Sequence, residues 1–567
     1  MKLKKSYLVI LLLLFILTAC SDNKKTEEPA NDADEIRNDQ DAEEIQPDED
    51  LTDEEVLPDK DQSEEETLPD EDNAEVQDER AKSPDFEDLE CGTSFGNYAC
   101  DFTLPLDSGD WNFAENYSKD ENYLLVFYRG MNSTSKKIWS TQLYNLFDRS
   151  PKNVHYFFIV DTDKAETAEE KAQIIKDSVK EAYDMTGNGN VSQKMHIVKK
   201  PASETDPWIT ELLANNKSDF FFGIDRFRRI RRGGSFSSWN SNSLPPEFDN
   251  LYKEAEYYDY EKKMHDFIDK NSGNSTVFKG LESVPFAEEG WTKNLDFSIN
   301  FEGVSESGEL YIMLEQLCDD PKKCEWDRLE RLFLCDETGE KCETEIGRWI
   351  TTYGRSGKWI TDITPLKAMF EKDGKYNFRF TVDGDYYVNN LNFVFMENSD
   401  LPQNTLLQLF NQREQFDETY NSHFEPMQIE ISGDAPKAKI VAYITGHGNG
   451  SEQANCAEFC QFESVFTVNG TDFVIDFKNA GTADGCFEKV SDGVVPNQYG
   501  SWPYGRAGWC PGEDVKLIEM DVTDALVSGE NVFSYAAYLD GEIYEPVVTD
   551  ESGYRAEIYL TSYLVVY

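Results

Sequence analysis

The first half of the chain alternates two kinds of hydrophobic pattern. Apolar runs with the length of buried strands occur at 124–128, 154–161, 195–198 and 220–224. Segments with helical periodicity lie between them at 137–147, 165–185 and 206–214. Alternation of this kind predicts an α/β layer whose strands are joined by helices. A further helical pattern at 254–270 is expected to close this unit or to act as a stiff connector.

From about residue 273 onward, helical periodicity is replaced by short alternating runs that end in turn signals. These predicted strands are 295–301, 309–314, 376–382, 391–396, 439–445, 462–468, 473–477, 515–521, 532–537 and 556–566. Many short strands at this spacing predict antiparallel sandwiches. A break at 399–402 divides the region into two sandwiches, 273–400 and 401–567.

The α/β stretch, flanked by 101–107 and 223–230, resembles the thioredoxin-like fold of peroxiredoxin relatives. That family carries its reactive cysteine at the start of the helix after the first long strand, where the helix terminus lowers the thiol pKa. The corresponding stretch, 129–136, has no cysteine. The resemblance therefore implies a thioredoxin-like domain over 91–272 without redox cysteines, serving as a spacer, a docking surface or a wall beside a cleft.

The N-terminus has the pattern of a bacterial lipoprotein signal. Three lysines precede an apolar run at 7–17, and Leu17-Thr-Ala-Cys20 closes it. We expect a signal peptide over 1–20, with Cys20 as the lipidated N-terminus of the mature protein. A transmembrane anchor is the alternative, although the run is shorter than the roughly 20 apolar residues of a span. Ser21 favours the outer membrane, with the protein periplasmic or surface-exposed and held to the membrane only by its lipid.

Charge is distributed unevenly along the chain. The 567 residues carry 54 Lys and Arg against 110 Asp and Glu, a net charge of −56. Residues 21–90 hold 31 acidic and 6 basic side chains, a net of −25. So acidic and apolar-poor a segment predicts a disordered spacer. The overall balance argues against nucleic-acid partners and against a basic membrane-binding face.

The 11 cysteines comprise Cys20 and ten others that fall into close pairs. The pairs are Cys91/Cys100, Cys318/Cys324, Cys335/Cys342, Cys456/Cys460 and Cys486/Cys510. In an exported chain this arrangement predicts a disulfide framework. A zinc site is the alternative, although CxxC doublets are absent and the five histidines are scattered.

Two carboxylates lie in or beside short cystine loops. Glu458 is enclosed by Cys456 and Cys460, and Asp327 follows Cys324. Each has an aromatic neighbour, Phe459 and Trp326, of the kind against which sugar rings pack. Such carboxylates suit general acid–base work on a polar substrate. The alternative is that Asp327 pairs with Arg328 or Arg348, and that Glu458 caps a turn on a solvated face.

An ordered set of motifs covers the chain from about residue 273 to the end. The first sandwich contains Cys318, Cys324-Glu-Trp-Asp-Arg328, Ile346-Gly-Arg-Trp-Ile-Thr-Thr-Tyr353 and Ile360-Thr-Asp-Ile-Thr364. The second contains Gly446-His-Gly448, Cys456-Ala-Glu-Phe-Cys460, Gly485-Cys486, Gly500-Ser-Trp502 and Gly505-Arg-Ala-Gly-Trp-Cys-Pro-Gly512. In this order they resemble the peptide:N-glycosidase F family.

The resemblance implies two side-by-side jelly rolls with an active site in the groove between them. It implies hydrolysis of the amide that joins an N-linked glycan to asparagine, which becomes aspartate, with no metal or cofactor. It also implies which residues act. The implied catalytic residues are Asp327, Glu458 and Asp383. The implied substrate-binding residues are Arg506, Trp509, Trp326, Arg328, His447 and Phe459.

Three features depart from the family. Asp383 is one methylene shorter than the family's glutamate, and no tryptophan follows it in 383–386. His447 and Phe459 stand where tryptophan is usual. These differences concern sugar contacts more than the reaction.

The resulting hypothesis is a monomeric peptide:N-glycosidase acting on N-glycosylated proteins or glycopeptides. Asp327 is expected to position or activate water, Glu458 to share a proton with it, and Arg506 to orient Glu458 and stabilise negative charge. The alternative is a non-catalytic glycan-binding surface lipoprotein on the same fold.

Overall fold

The structure is a computed structural model that describes most of the chain after the acidic segment. The described residues are 82–130, 139, 142–162, 165–217, 219–233, 249–286, 292–304, 308–318, 320, 322–370, 372–384, 386–432 and 437–567. Cys20, the predicted signal peptide and most of the predicted spacer lie outside them, as does most of the 129–136 stretch.

Residues 82–271, here the α/β unit, contain a five-stranded mixed sheet. The strands described in this unit are β1 Cys91–Gly92, β2 Tyr98–Ala99, β3 Thr103–Leu106, β4 Gly109–Asn112, β5 Asn122–Arg129, β6 Val154–Asp161, β7 Met195–Pro201, β8 Phe221–Ile224 and β9 Ile230–Arg232. Strands β1 and β2 form a short parallel pair, and β3 and β4 form a short antiparallel pair. The sheet order is β7-β6-β5-β8-β9, with β5, β6 and β7 parallel and the others antiparallel. Strands β5 and β6 are buried nearly throughout because helices and loops cover both faces.

The helices of this unit are Phe113–Asn116, Tyr144–Arg149, Ala165–Thr186, Gly189–Gln193, Pro207–Asn215 and Asp249–Asn271. Pro207–Asn215 begins at Asp206, whose carboxylate accepts a hydrogen bond from the Trp208 N–H at 2.9 Å. The predicted alternation of strands and helices is confirmed. The predicted helix at 254–270 begins five residues earlier, at Asp249.

The end of the predicted spacer is ordered, contrary to expectation. In 82–90, the ring of Phe86 packs edge-on against Phe113 and Tyr117, and the guanidinium of Arg228 lies 4.2 Å from its centre. The Ser83 N–H also donates to the Ala114 carbonyl at 2.8 Å. The only aromatic side chain of the acidic segment thus anchors its last residues, and the α/β unit starts before residue 91.

Residues 275–397, here the first β unit, form two sheets of antiparallel strands. The strands are β10 Ser275–Pro285, β11 Thr292–Phe301, β12 Gly308–Leu317, β13 Leu329–Cys335, β14 Cys342–Ile350, β15 Gly357–Asp362, β16 Gly374–Asp383 and β17 Val388–Glu397. One sheet has the order β10-β17-β12-β15, and the other begins β11-β16-β13-β14. Strand β12 alternates buried and half-buried residues throughout, as expected of a strand with one face on a core.

Residues 405–566, here the second β unit, are built in the same way. The strands are β18 Thr405–Gln415, β19 Met427–Ile431, β20 Ala438–Asn449, β21 Phe462–Val468, β22 Thr471–Asp476, β23 Glu513–Asp514, β24 Ile518–Asp521, β25 Gly529–Leu539 and β26 Tyr554–Val566. The sheet orders are β18-β26-β20-β24 and β19-β25-β21-β22. The strand predicted at 515–521 begins only at Ile518, and the Val515 N–H donates instead to the Arg348 carbonyl of the first β unit at 2.8 Å.

The two β units are joined by main-chain pairing and by hydrogen bonds from a buried arginine. Strand β23 of the second unit pairs with the end of β14 of the first, with Asp514 opposite Trp349. Arg348, 1% exposed, bonds Glu345 in its own unit at 2.6 Å and Thr445 in the second unit at 2.9 Å. These contacts between the two β units are here called the seam, and they hold the units in one fixed relation.

All five predicted disulfides are present: Cys91–Cys100, Cys318–Cys324, Cys335–Cys342, Cys456–Cys460 and Cys486–Cys510. Within the described part of the chain, no helix is long and apolar enough to cross a bilayer. Nor do three or more His, Cys, Asp or Glu side chains among the described residues converge in a way that could hold a metal ion.

Candidate active site

Asp327 lies in a loop that the first β unit fixes at both ends. The Cys318–Cys324 disulfide precedes it, and the Cys324 carbonyl accepts a hydrogen bond from the Gly354 N–H at 2.7 Å. On the other side, the N–H of Arg328 donates to the Thr351 hydroxyl at 2.7 Å. The carboxylate is 15% exposed. It is therefore held at the seam and accessible only at its edge.

Glu458 is held in a corresponding way by the second β unit. The Cys456–Cys460 disulfide closes its loop, and its carbonyl accepts from the Ala507 N–H at 2.9 Å. The N–H of Ala457 reaches the His447 carbonyl on β20 at 3.4 Å. The side chain is 14% exposed, so it does not cap a turn on a solvated face.

Arg506 connects these two carboxylates across the seam. Its Nε donates to Glu458 Oε1 at 2.9 Å, and its Nη2 donates to Asp327 Oδ2 at 3.2 Å. The remaining donors go to the Ser501 hydroxyl at 2.9 Å, the Ser501 carbonyl at 3.2 Å and the Tyr504 carbonyl at 2.9 Å. A guanidinium has five N–H groups, and all five have an acceptor here.

This geometry corrects one expectation and confirms another. Arg506 was expected to orient Glu458, which it does, and to contact substrate, which its buried position prevents. Its side chain is 0% exposed, and no donor is left over. The partner of Asp327 is therefore Arg506 rather than Arg328 or Arg348.

Tyr353 completes the cluster from the first β unit. Its hydroxyl accepts a hydrogen bond from Arg506 Nη2 at 3.5 Å and lies close to Asp327. Burial, and then the charge of Asp327, raise the pKa of the Tyr353 phenol well above its usual value. The phenol thus stays protonated at neutral pH beside the Asp327 carboxylate.

Burial governs the protonation of the two carboxylates. It raises the pKa of Asp327 above its usual value, opposed by the charge of Arg506. It raises the pKa of Glu458 to about 7, again opposed by Arg506 and reinforced by the charge of Asp327. Two interacting carboxylates titrate as a pair, so near neutral pH this site holds a proton that it can accept or give up.

An aromatic row leads away from Arg506, formed by Trp509, His447 and Tyr559. The Arg506 guanidinium lies 4.8 Å from the Trp509 ring, which stacks on His447 at 5.1 Å. His447 in turn meets the edge of Tyr559 at 4.8 Å. Trp509 was expected to bind substrate, but it is 2% exposed and donates its Nε1 hydrogen to the Gly446 carbonyl at 2.7 Å. It supports the row instead of offering a free face.

His447 is a neutral member of this row. Burial, and then the surrounding arginines with Arg348 foremost, lower its pKa to about 3. Its Nε2 pairs with the Thr445 hydroxyl at 2.9 Å. A ring with so low a pKa does not act as a base at neutral pH, which leaves His447 a structural or sugar-contacting role.

The other predicted sugar contacts differ in exposure. Trp326 is 52% exposed beside Asp327, with the Arg328 guanidinium 5.7 Å from its ring. Phe459 is half-buried, and its ring lies 5.1 Å from the Arg506 guanidinium. Trp326 is therefore the large aromatic surface available beside the carboxylates.

Asp383 lies apart from the cluster. It ends strand β16, and its carboxylate accepts from the Thr292 hydroxyl at 2.7 Å. Asp383 interacts electrostatically with Arg331 and Arg413. The guanidiniums of these two arginines lie 5.5 and 4.7 Å from the centre of the Tyr559 ring. The aromatic row thus separates Asp383 from Arg506.

Sequence reasoning gave no role to Tyr353 or Ser501, although both stand inside quoted motifs. Their function depends on a meeting of two β units, which no local pattern reveals. The signal that could have identified them was their position within the motifs Ile346–Tyr353 and Gly500–Trp502. Both motifs lie beside the seam.

The second β unit can be compared with known families. Residues 416–565 match the family model described as peptide-N-glycosidase F, C terminal. This confirms the resemblance to peptide-N-glycosidase F. The match includes Glu458, Arg506 and the Cys456–Cys460 and Cys486–Cys510 disulfides. It does not extend to the first β unit or the α/β unit.

Among solved structures, PNGase F, a glycosylasparaginase from Flavobacterium meningosepticum, is similar at 17% identity, with 52% of this chain and 96% of that chain covered and a TM-score of 0.42. PNGF-II is similar at 15% identity, covering 54% and 67%, with a TM-score of 0.39. A putative thiol:disulfide interchange protein DsbE from Chlorobium tepidum is similar at 12% identity, covering 25% and 84%, with a TM-score of 0.16. No curated protein matches the chain.

Proposed function

We propose that the protein is a peptide:N-glycosidase that hydrolyses the amide between an N-linked glycan and asparagine. The observation that carries the proposal is the Asp327–Arg506–Glu458 cluster, in which two half-buried carboxylates from different β units share one buried cation. The family match over 416–565 supports it, since that segment contains two of the three residues. N-glycosylated proteins or glycopeptides are the substrates proposed.

The cluster can accept and donate the protons that amide hydrolysis requires. Water adds to the amide carbonyl carbon and gives up a proton, and the C–N bond then breaks as the nitrogen gains one. Glu458, with a pKa of about 7, can accept the first proton and return it to the leaving nitrogen. The asparagine becomes aspartate, and the glycan leaves as a glycosylamine that later loses ammonia in water.

Asp327 and Tyr353 hold the reacting water in this scheme. The protonated phenol lies beside Asp327, and Arg506 bonds the same carboxylate from the second β unit. Because these partners are already in place, the site does not have to reorganise during the reaction. The positive charge of Arg506 stabilises the negative charge that develops on the substrate, without a hydrogen bond between them. Trp326 offers its exposed face to a sugar ring beside Asp327.

A non-catalytic glycan-binding protein is the second candidate. It is favoured by the position of Asp383, which lies beyond the aromatic row and not with the carboxylate pair. In this reading the buried pair stabilises the seam, and Trp326 serves only recognition.

One experiment separates the two candidates. The protein from residue 82 onward is incubated with an N-glycosylated peptide at pH 7, and the products are analysed by mass spectrometry. Aspartate in the peptide together with free glycan supports the amidase. Retention of the glycopeptide by immobilised protein, with asparagine and glycan both unchanged, contradicts it and supports the binder.

We further propose that the protein is an exported, monomeric lipoprotein of a bacterial outer membrane, attached through Cys20. Its support is the Leu17-Thr-Ala-Cys20 sequence, and five disulfides suit an oxidising compartment. Labelling with a fatty acid analogue in an expressing bacterium tests it. Label on the wild type and none on Cys20→Ala is expected, and equal label on both contradicts it.

A further inference from the structure

The helix Asp249–Asn271, here the bridging helix, contacts all three units. Toward the α/β unit, Asp259 accepts from the Asn122 side chain at 2.8 Å. Toward the first β unit, the Tyr257 hydroxyl accepts from the Lys358 N–H at 3.1 Å. Toward the second β unit, the Lys253 ammonium lies 4.7 Å from the Phe487 ring. The helix is thus a shared wall and not a free connector.

One carboxylate of this helix is completely buried where the units meet. Glu254 is 0% exposed and receives both ends of the Arg355 guanidinium, at 2.9 and 2.8 Å. It also accepts from the Asn497 side chain at 2.8 Å. Arg355 belongs to the first β unit and Asn497 to the second, so Glu254 fastens both to the α/β unit. Arg355 also donates to the Arg232 carbonyl of that unit at 2.9 Å.

Arg355 is two residues from Tyr353, and Asn497 is one residue from Gln498, which bonds Tyr353. Arg355 exchanges main-chain and hydroxyl hydrogen bonds with Thr352, one of them at 3.0 Å. Next to Asn497, the Gln498 side chain accepts from the Tyr353 N–H at 2.8 Å and donates to the Pro511 carbonyl at 2.7 Å. Tyr353 therefore belongs to one of two segments that Glu254 ties together, and it bonds the other through Gln498.

We propose that Glu254 is a positioning residue for the reaction, and that the α/β unit is through it a working part of the active site. The inference rests on the proposed function. Glu254 fixes Arg355 and Asn497, these fix the 352–355 and 495–498 segments, and the segments place the Tyr353 phenol against Asp327 and Arg506. This gives the α/β unit a role beyond that of a spacer, a docking surface or a wall.

The chemistry of the link explains why a neutral residue does not replace it. A bidentate carboxylate–guanidinium pair is directional, and removing one partner leaves the other buried without compensation. In Glu254→Gln, the side-chain amide can accept at one atom only, so Arg355 loses one of its two hydrogen bonds to residue 254. The expected consequence is a shift of the 352–355 segment and of the Tyr353 hydroxyl.

The same helix supplies a matched control. Glu261 is 6% exposed and also receives a bidentate arginine, Arg231, at 2.6 and 3.0 Å, but this pair lies within the α/β unit. Glu261→Gln therefore carries a similar structural cost without touching the segments around Tyr353.

The test compares steady-state deglycosylation by the wild type, Glu254→Gln and Glu261→Gln. We expect kcat to fall about 10- to 100-fold in Glu254→Gln with KM within a few-fold, because misplacement near 1 Å costs that much. We expect Glu261→Gln to keep its kcat. Equal kcat values in the two variants, or equal losses, would overturn the inference.

A second measurement does not depend on turnover. Amide hydrogen exchange is followed in 350–355 and 495–500 in the same three proteins, and only Glu254→Gln is expected to lose protection there. Unchanged protection overturns the inference. If the wild type releases no glycan, the proposed function fails while the exchange result still decides the positioning role. Should Glu254→Gln not fold, Arg355→Lys tests the same link, with the same loss of protection expected and unchanged protection contradicting it.

Discussion

Glu458 and Asp383 are both acidic residues assigned to catalysis by resemblance, yet their surroundings differ. Glu458 sits in a loop closed by a disulfide, is 14% exposed and is bonded by a buried arginine at 2.9 Å. Asp383 ends a strand, and its hydrogen bond goes to the hydroxyl of Thr292. The aromatic row Trp509–His447–Tyr559 lies between the two regions.

The difference shows what makes a carboxylate useful for proton transfer here. Enclosure raises the pKa of Glu458 to about 7, and Arg506 keeps it aimed at Asp327. Asp383 instead accepts a hydrogen bond from the Thr292 hydroxyl. An acidic residue at the right place in a motif is thus not sufficient; burial together with a shared cation is what distinguishes the pair.

The largest effect is expected for Asp327→Asn. The amide keeps the shape but removes the charge that Arg506 and Tyr353 hold, so glycan release should fall by at least about 1,000-fold. Release of glycan from a glycopeptide measures this. Glu325→Gln, an exposed carboxylate in the same loop, is the control and should keep its activity. Activity retained in Asp327→Asn would remove this residue from the mechanism.

Glu458→Gln is expected to lower kcat by roughly 100-fold, because a general acid–base group contributes on that scale. The pH dependence of kcat/KM should also change. The wild-type profile is expected to show an apparent pKa near 7 that belongs to the coupled pair, and this inflection should be missing in the variant. An inflection near 7 that persists in Glu458→Gln would assign it to another group.

Arg506→Lys tests the shared cation. Lysine keeps a charge but lacks the planar fork, so it cannot bond both carboxylates while serving Ser501 and Tyr504. We expect a fall in kcat of about 10-fold or more and a free energy of unfolding lower by about 3 kcal/mol, the scale for a broken buried pair. Urea unfolding and steady-state kinetics measure the two. Wild-type kinetics in the lysine variant would show that bidentate contact is unnecessary.

Stability should depend on pH through Glu458. Because its folded pKa is raised from 4.5 to about 7, the folded state binds this proton more tightly than the unfolded state does. The contribution is fully present below pH 4.5 and is lost as pH rises through 7, on the order of 3 kcal/mol. Urea unfolding of the wild type and Glu458→Gln at pH 4.5 and pH 8 measures it. The variant should lose less stability across this interval, and equal losses would contradict the raised pKa.

Asp383→Asn is expected to have the smallest effect, at most a few-fold in kcat. Its carboxamide can still accept from Thr292, and no member of the Asp327–Arg506–Glu458 cluster bonds it. Steady-state kinetics on the same glycopeptide test this. A loss comparable to that of Glu458→Gln would place Asp383 within the reacting groups.

Sequence patterns predicted the α/β alternation and most β strands but missed strands with charged interiors. β13 and β14 carry Glu330, Glu345 and Arg348, all buried, which interrupts the apolar alternation that marks a strand. Glu330 and Glu345 have partners within the same β unit, as in the Arg348–Glu345 pair on β14, and an apolar alternation does not reveal them. The strand predicted at 515–521 was too long because the Val515 N–H bonds the Arg348 carbonyl of the other β unit.

The candidate site was likewise predicted only in part from the sequence. Resemblance named Asp327, Glu458 and Arg506 correctly as neighbours, since they occupy motifs fixed by disulfides. It did not give the burial of Trp509 or the roles of Tyr353 and Glu254. These depend on how three units pack, and Glu254 lies on a helix whose sequence resembles no motif.

The central claim is that this site hydrolyses the glycan–asparagine amide. The most direct test is deglycosylation of a glycopeptide in heavy-oxygen water, followed by mass spectrometry of the peptide. The account predicts aspartate carrying one heavy oxygen with the wild type and no product with Asp327→Asn. Glycan released from a peptide that keeps its asparagine, or release that survives in Asp327→Asn, would contradict it.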